Sequence, residues 1–335
     1  MIFSRKTPPQ PTPYGIAQLK EIPLGGVKQW VLIRGENVRK PVLLILHGGP
    51  GMSLISISSA FFRQLEKDFV VVNWDQRGSG LSYDPDLDEK TMNIRQFVSD
   101  ICELSEYLRR RFHKEKIFLL GHSWGSLIGT LAVKQAPELF YAYVGAGQVV
   151  DMARNEEIAY QELLDFAQKE NRPGLLSKLE EMGPPPYQKP VDTMILRFGL
   201  TMTHRDAWNG DVSMRKKIFR AAFASKEYRA ADLARYLKAT SFSMKNLWWQ
   251  AVEVDLKREA PDLSIPCIYI LGRNDQIVLP QLSVEYYDLL KAPYKKLIWF
   301  EGCGHSMMYE QPEKFQQVVA EELMPFVPKL PKPKG

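Results

Sequence analysis

Gly121-His122-Ser123-Trp124-Gly125 sets one hydroxyl between two glycines, after the apolar run Ile117-Phe118-Leu119-Leu120 and before a helix-patterned stretch from Ser126 to Val133. A strand, a Gly-x-Ser-x-Gly turn and a helix, in that order, make a turn that holds the serine oxygen clear of a sheet. Serine is a weak nucleophile at neutral pH, so Ser123 needs a base within hydrogen-bond reach and a third group to orient it. Of the five histidines, His305 lies in a loop just past a C-terminal apolar run, where open α/β sheets gather their functional groups. His122 flanks the serine and is expected to turn its ring away. His47 lies in a Gly-rich loop, His113 at a helix end and His204 in a helical stretch. Asp275 follows the run that ends at Leu271 and falls between serine and histidine in the chain. A carboxylate there would fix the imidazole tautomer and stabilise the imidazolium formed on proton transfer. Glu301 is the rival acid, but it shares a loop with His305.

Acyl transfer also requires donors for a developing oxyanion. The stretch His47-Gly48-Gly49-Pro50-Gly51 follows the run ending at Leu46, and its glycines let main-chain N–H groups approach a substrate. The expected donors are the N–H groups of Gly49 and Trp124, each worth about 3–4 kcal/mol of transition-state stabilisation. Neither this stretch nor Gly78-Ser79-Gly80 carries the lysine or the spacing of a phosphate or dinucleotide loop.

Strands must carry these loops. Trp30 to Ile33, Val42 to Leu46, Phe69 to Trp74, Tyr143 to Ala146, Cys267 to Leu271 and Lys296 to Phe300 read as strands, several without alternation, as when both faces are covered. Between them, helical periodicity runs from Ile94 to Phe112 and from Gln311 to Phe326. The pattern predicts an α/β fold: a mostly parallel central sheet with helices on both faces. From 151 to 255 strand patterning stops and large apolar residues accumulate, which predicts a helical cap inserted between core strands. The expected division is core 1–150, cap 151–255 and core 256–335, with loose ends at 1–13 and 328–335. His47, Gly48, Trp208, Trp248 and Trp249 are the expected pocket residues.

With 335 residues, 45% of them hydrophobic and 25% charged, the chain can build a large core of ordinary soluble type. The net charge of +5 comes from scattered bases, and short runs such as Arg109-Arg110-Arg111 and Arg215-Lys216-Lys217 fit solvated helix faces better than a nucleic-acid patch. Cys102, Cys267 and Cys303 are too few for a disulfide framework and have no metal-ligand spacing. The polar, Pro-rich start and the lack of a long apolar run predict a cytoplasmic protein with no membrane partner. No metal or cofactor is expected, and the oligomeric state, monomer or small homo-oligomer, is left open.

Four stretches carry a family resemblance: His47 to Gly51, Trp74-Asp75-Gln76-Arg77-Gly78-Ser79-Gly80-Leu81-Ser82, Gly121 to Ser126, and Gly302-Cys303-Gly304-His305-Ser306. On them the chain resembles the α/β-hydrolases and, among these, the proline iminopeptidases. The resemblance implies Ser123 as nucleophile, Asp275 as acid, His305 as base, the Gly49 and Trp124 main chain as oxyanion hole, and Arg77 as a brace for nearby loops. It also implies a helical cap before the strand at Cys267. One departure stands out: proline iminopeptidases hold a substrate's amino terminus with cap glutamates, one in a Trp-x-x-Trp-Glu-like segment, and this chain has no such segment.

The expected activity is cofactor-independent acyl transfer to water through an acyl-enzyme, on short peptides, arylamides or small esters. A carboxylesterase without aminopeptidase activity is the alternative within that chemistry. A small-molecule receptor with vestigial hydrolysis is the alternative outside it. Epoxide hydrolases and haloalkane dehalogenases, which such chains also resemble, carry aspartate where this chain has Ser123.

Overall fold

The computed structural model describes residues 5–187, 196, 199–201 and 212–328. Among these residues eight strands form one sheet: β1 (Ile16–Leu24), β2 (Val27–Gly35), β3 (Val42–Leu46), β4 (Val70–Trp74), β5 (Ile117–His122), β6 (Phe140–Ala146), β7 (Cys267–Gly272) and β8 (Lys295–Phe300). Their spatial order is β1-β2-β4-β3-β5-β6-β7-β8. The β1–β2 hairpin and the β2–β4 pair are antiparallel, and every later pairing is parallel. All residues of β3, β4, β5 and β7 are buried, so their unbroken apolar runs reflect cover on both faces.

Two strands differ from the sequence-based expectation. β1 is unforeseen, because an edge strand needs little apolar content, and only Ile16, Ile22 and Leu24 of its nine residues are buried. β8 has the expected position, but only Phe300 is fully buried, since β8 is the opposite edge.

Helix α1 (Ile94–Phe112) starts at Asn93, whose side chain accepts from the Gln96 N–H, and buries Phe97, Val98, Ile101, Leu104 and Leu108 on one face. Helix α2 (Trp124–Gln135) leaves the end of β5 through Ser123. After β6 the chain enters α3 (Met152–Lys169), α4 (Pro173–Met182), α5 (Val212–Ala224) and α6 (Ala230–Glu253). It returns to the sheet with α7 (Pro280–Leu289) between β7 and β8, and ends with α8 (Pro312–Leu323). Both α7 and α8 begin at a proline, whose missing N–H costs nothing in a first helical turn.

Asp151 and Asp255 face each other in an isolated antiparallel bridge, and the Leu256 N–H donates to the Val150 carbonyl at 3.0 Å. The helical excursion between them therefore leaves and rejoins the core at one place. Helix α6 docks on the core loops: Ser243 Oγ donates to the Gly78 carbonyl at 3.1 Å and Gln250 Nε2 to the Met92 carbonyl at 2.9 Å.

The leading segment, expected to be loose over 1–13, is tied down from residue 5 onward. Arg5 pairs with Asp232 at 2.6 Å, the Lys6 N–H donates to the Lys226 carbonyl at 3.1 Å, and Arg34 Nη1 donates to the Pro8 carbonyl at 2.7 Å. Composition reads this stretch as unstructured because Asp232 and Lys226 lie so far along the chain. Residues 1–4 and 329–335 lie outside the described residues. Among the described residues no helix is long and apolar enough to cross a membrane.

Candidate active site

Ser123 has φ 53° and ψ −122°, a backbone conformation that residues with a Cβ rarely adopt. Its N–H donates to the Ala146 carbonyl on the neighbouring strand at 3.0 Å, which pins the turn to the sheet. The turn also needs Gly125: a Cβ there would stand 2.3 Å from the Leu46 carbonyl oxygen, so α2 could not start flush against the end of β3. Trp124 is the first residue of α2, and its N–H has no acceptor within the helix. Ser123, Trp124 and Gly49 all line one cavity of about 300 Å³.

The loops after β7 and β8 bring Asp275 and His305 together. His305 Nδ1 lies 2.7 Å from Asp275 Oδ2. The Asp275 side chain is 2% exposed, and its other oxygen accepts from the N–H groups of Ile277 at 2.8 Å and Val278 at 3.0 Å. These bonds hold the carboxylate and so fix Nδ1 as the nitrogen that donates to it, which leaves Nε2 as the ring's other nitrogen. The ring packs against Gly147, the residue after Ala146, where a Cβ would come within 3.1 Å of Cε1. His305 therefore packs at the end of β6, next to the Ala146 carbonyl that holds the Ser123 turn. Glu301 instead faces outward and pairs with Arg273 at 2.9 Å.

His122 is a site residue that sequence reading turns aside. Its ring lies 4.9 Å from that of His305, and its Nε2 donates to the His305 carbonyl at 3.1 Å. Burial, then the neighbouring His305, lower its pKa to about 3. His47, expected to line the pocket, is instead fully buried behind it. Its Nδ1 donates to the Gly48 carbonyl at 2.9 Å and its Nε2 accepts from the Gln76 N–H at 3.2 Å, while burial lowers its pKa to about 4. It shapes the loop from beneath.

Gln76 joins the two halves of the expected oxyanion site: its Nε2 donates to the His47 carbonyl at 3.1 Å and its Oε1 accepts from Trp124 Nε1 at 3.0 Å. The Trp74 to Ser82 stretch is the sequence signal that could have found Gln76. Arg77 forms a wholly buried two-pronged pair with Asp100 of α1, both bonds at 3.0 Å, and reaches the Gly25 carbonyl at 2.9 Å. Asp75 is fully buried; it accepts from Ser53 Oγ, from Tyr228 Oη beside the N-terminus of α6, and from the Leu81 N–H at 2.7 Å. Burial, only partly offset by those donors, raises its pKa to about 6.

The cavity walls come from both layers. Leu127, Val149, Ile277 and Val278 belong to the core and Met152, Met244, Trp248 and Ala251 to cap helices. Met52 and Leu237 line it while remaining exposed, so the cavity reaches solvent beside them. Of the expected pocket residues, Trp248 lines it, whereas His47, Gly48 and Trp249 do not. Trp249, the next residue round the helix, points to the surface, and Trp208 lies outside the described residues.

A serine held in a strained turn, a histidine oriented by a buried carboxylate, and main-chain N–H groups beside a cavity can together perform acyl transfer. The model of the family described as serine aminopeptidase, S33, matches residues 37–312. The probable aminopeptidase YbaC of Bacillus subtilis is 33% identical over 310 residues, which covers 92% of this chain and 97% of that protein. The proline iminopeptidase of Heyndrickxia coagulans is 25% identical over 297 residues, 86% of this chain and 92% of the relative. In fold, a proline iminopeptidase-related protein of Thermus thermophilus superposes with a TM-score of 0.68 at 20% identity, covering 94% of this chain and all of that one. By sequence the chain belongs to the S33 serine aminopeptidase family and is a hydrolase, and its fold is that of the α/β-hydrolases.

Proposed function

We propose that the protein is a serine hydrolase that acts through an acyl-enzyme, with Ser123 as nucleophile, His305 as base and Asp275 as the group that orients it. The observation that carries this reading is the 2.7 Å contact between His305 Nδ1 and Asp275 Oδ2, with His305 packed on Gly147 next to the Ala146 carbonyl that holds the strained Ser123 turn. In this reading Ser123 Oγ attacks the substrate carbonyl and its proton passes to His305 Nε2. The resulting oxyanion lies between the N–H groups of Gly49 and Trp124. Collapse breaks the bond to the leaving group, which takes the proton from His305. A water molecule then gives a proton to His305 and adds to the acyl-enzyme; the acid departs and the proton returns to Ser123. Family membership makes short peptides, arylamides and small esters the substrates to try.

Labelling with a fluorophosphonate probe tests the reading. The protein is expected to label at Ser123, Ser123→Ala to lose labelling, and Asp275→Asn to label more slowly by roughly four orders of magnitude, as when a triad loses its carboxylate. Equal labelling of wild type and Ser123→Ala would overturn it.

A further inference from the structure

The loop that carries Asp275 is held from two sides. On the sheet side, the Asn274 N–H donates to the Cys303 carbonyl at 2.9 Å, so the loops after β7 and β8 are tied together at their base. Past Asp275 the chain turns, and the N–H groups of Ile277 and Val278 donate back to Asp275 Oδ1 at 2.8 and 3.0 Å. The next polar groups of this turn go to one side chain of the helical excursion. Asn155 of α3 donates from Nδ2 to the Ile277 carbonyl at 3.0 Å and accepts at Oδ1 from the Leu279 N–H at 2.8 Å.

These partners fix which way the amide faces, since a carbonyl can only accept and an N–H can only donate. Asn155 is 1% exposed. Its own N–H donates to the Asp151 carbonyl at 3.0 Å, which places it in the first turn of α3, beside the point where the excursion leaves the core. A residue without the amide would leave the Ile277 carbonyl and the buried Leu279 N–H without these partners, and the turn would rearrange to find others. The same turn carries both main-chain donors to the Asp275 carboxylate.

We propose that Asn155 is a positioning residue: by bracketing Val278 it holds the Ile277 and Val278 N–H groups on Asp275, and through that carboxylate it sets the orientation of His305. The proposal rests on the serine-hydrolase reading, in which His305 takes the Ser123 proton. Ile277 and Val278 also line the cavity beside Ser123, as does Met152 of α3, so this strap joins the cavity wall to the carboxylate.

The test follows the second-order rate of fluorophosphonate labelling of the full-length protein, which needs His305 but no knowledge of the natural substrate. Asn155→Ala is expected to label roughly tenfold to a hundredfold more slowly than wild type, under conditions where circular dichroism and a urea melt show it folded. In an Asp275→Asn background the same substitution is expected to change the rate by less than about twofold, because the carboxylate through which it acts is already gone. Arg154→Gln removes an exposed pair with Glu285 between α3 and α7 and is expected to label as wild type does. If Asn155→Ala does not fold, Asn155→Ser, too short to reach both groups, carries the same expectations. Asn155 variants that label within about twofold of wild type, or that slow the Asp275→Asn protein as much as they slow the wild type, overturn the proposal and leave the serine-hydrolase reading intact. A wild-type protein that does not label at Ser123 overturns both.

Discussion

Nε2 of His122 donates to the main-chain carbonyl of His305 at 3.1 Å, so the residue before the candidate nucleophile holds the backbone of the candidate base. With a pKa of about 3 the His122 ring is neutral at working pH and keeps that proton. His122→Ala removes the tether. We expect kcat to fall by roughly fivefold to tenfold with KM close to wild type, in line with a hydrogen bond worth about 1–1.5 kcal/mol. Steady-state ester hydrolysis is the check, and a kcat unchanged within twofold would show the tether to be idle.

Gly147 offers a second handle on the same ring. It has φ +55°, and a Cβ there would lie 3.1 Å from His305 Cε1 and 3.2 Å from Nδ1. Gly147→Ala should lose about 1–2 kcal/mol of stability from the left-handed backbone. It should lose more than tenfold in kcat, because the added methyl displaces the imidazole. Urea unfolding and kinetics measured together separate the two effects; loss of stability with full activity would mean that His305 has room to move.

Which parts of this site can be read from a sequence follows from the range of the interactions. The turn around Ser123 is local: an apolar run, two glycines and a helix are contiguous, and the strand that precedes each of Asp275 and His305 announces its loop. The orientation of His122 is not local. Side chains alternate along a strand, but at Ser123 the backbone leaves the extended region, and alternation no longer says where the preceding ring meets a loop 183 residues away. The His47 ring escapes sequence reading for a related reason, since a histidine in a Gly-rich loop looks accessible until Gln76 and Ser79 are seen to close over it. Arg5 and Asp232, 227 residues apart, show how a polar segment that looks loose in composition can be anchored by a partner no periodicity reveals.

Asp75 couples core to cap through Tyr228 and gives stability a pH dependence of definite sign. Its folded pKa of about 6 is above the ordinary 3.8, so its contribution is fully present below about pH 4 and is lost as pH rises through 6. The donors Ser53, Tyr228 and the Leu81 N–H limit that loss by favouring the ionised form; the nearby Asp232 works against it. Tyr228→Phe removes one donor. The variant should lose about 1–3 kcal/mol at pH 8 and clearly less at pH 5. Urea melts at both values test this, and a pH-independent deficit would show that Tyr228 acts by packing alone.

Two buried histidines pull the other way. His47 and His122 have pKa values lowered by burial to about 4 and about 3, so the unfolded chain takes up protons first as pH falls below about 6.5. Their stabilisation is present at neutral pH and declines in acid, by about 2 kcal/mol each at pH 5, against about 1–1.5 kcal/mol regained from Asp75. The histidines outweigh the carboxyl, so Tm should be lower at pH 5 than at pH 7. A Tm that rises towards pH 5 would mean that one of these rings is reached by solvent.

The bridge between Asp151 and Asp255 closes the helical excursion on a single pair of residues. What happens between those residues need not shift any strand, because both ends are fixed at one point beside the sheet. Over evolutionary time such a hinge-point graft can be resized, remodelled or exchanged for another while the reacting groups stay in register. Relatives that share this core can therefore diverge in diet without diverging in chemistry, and swapping the segment between them is a direct way to move specificity from one to another.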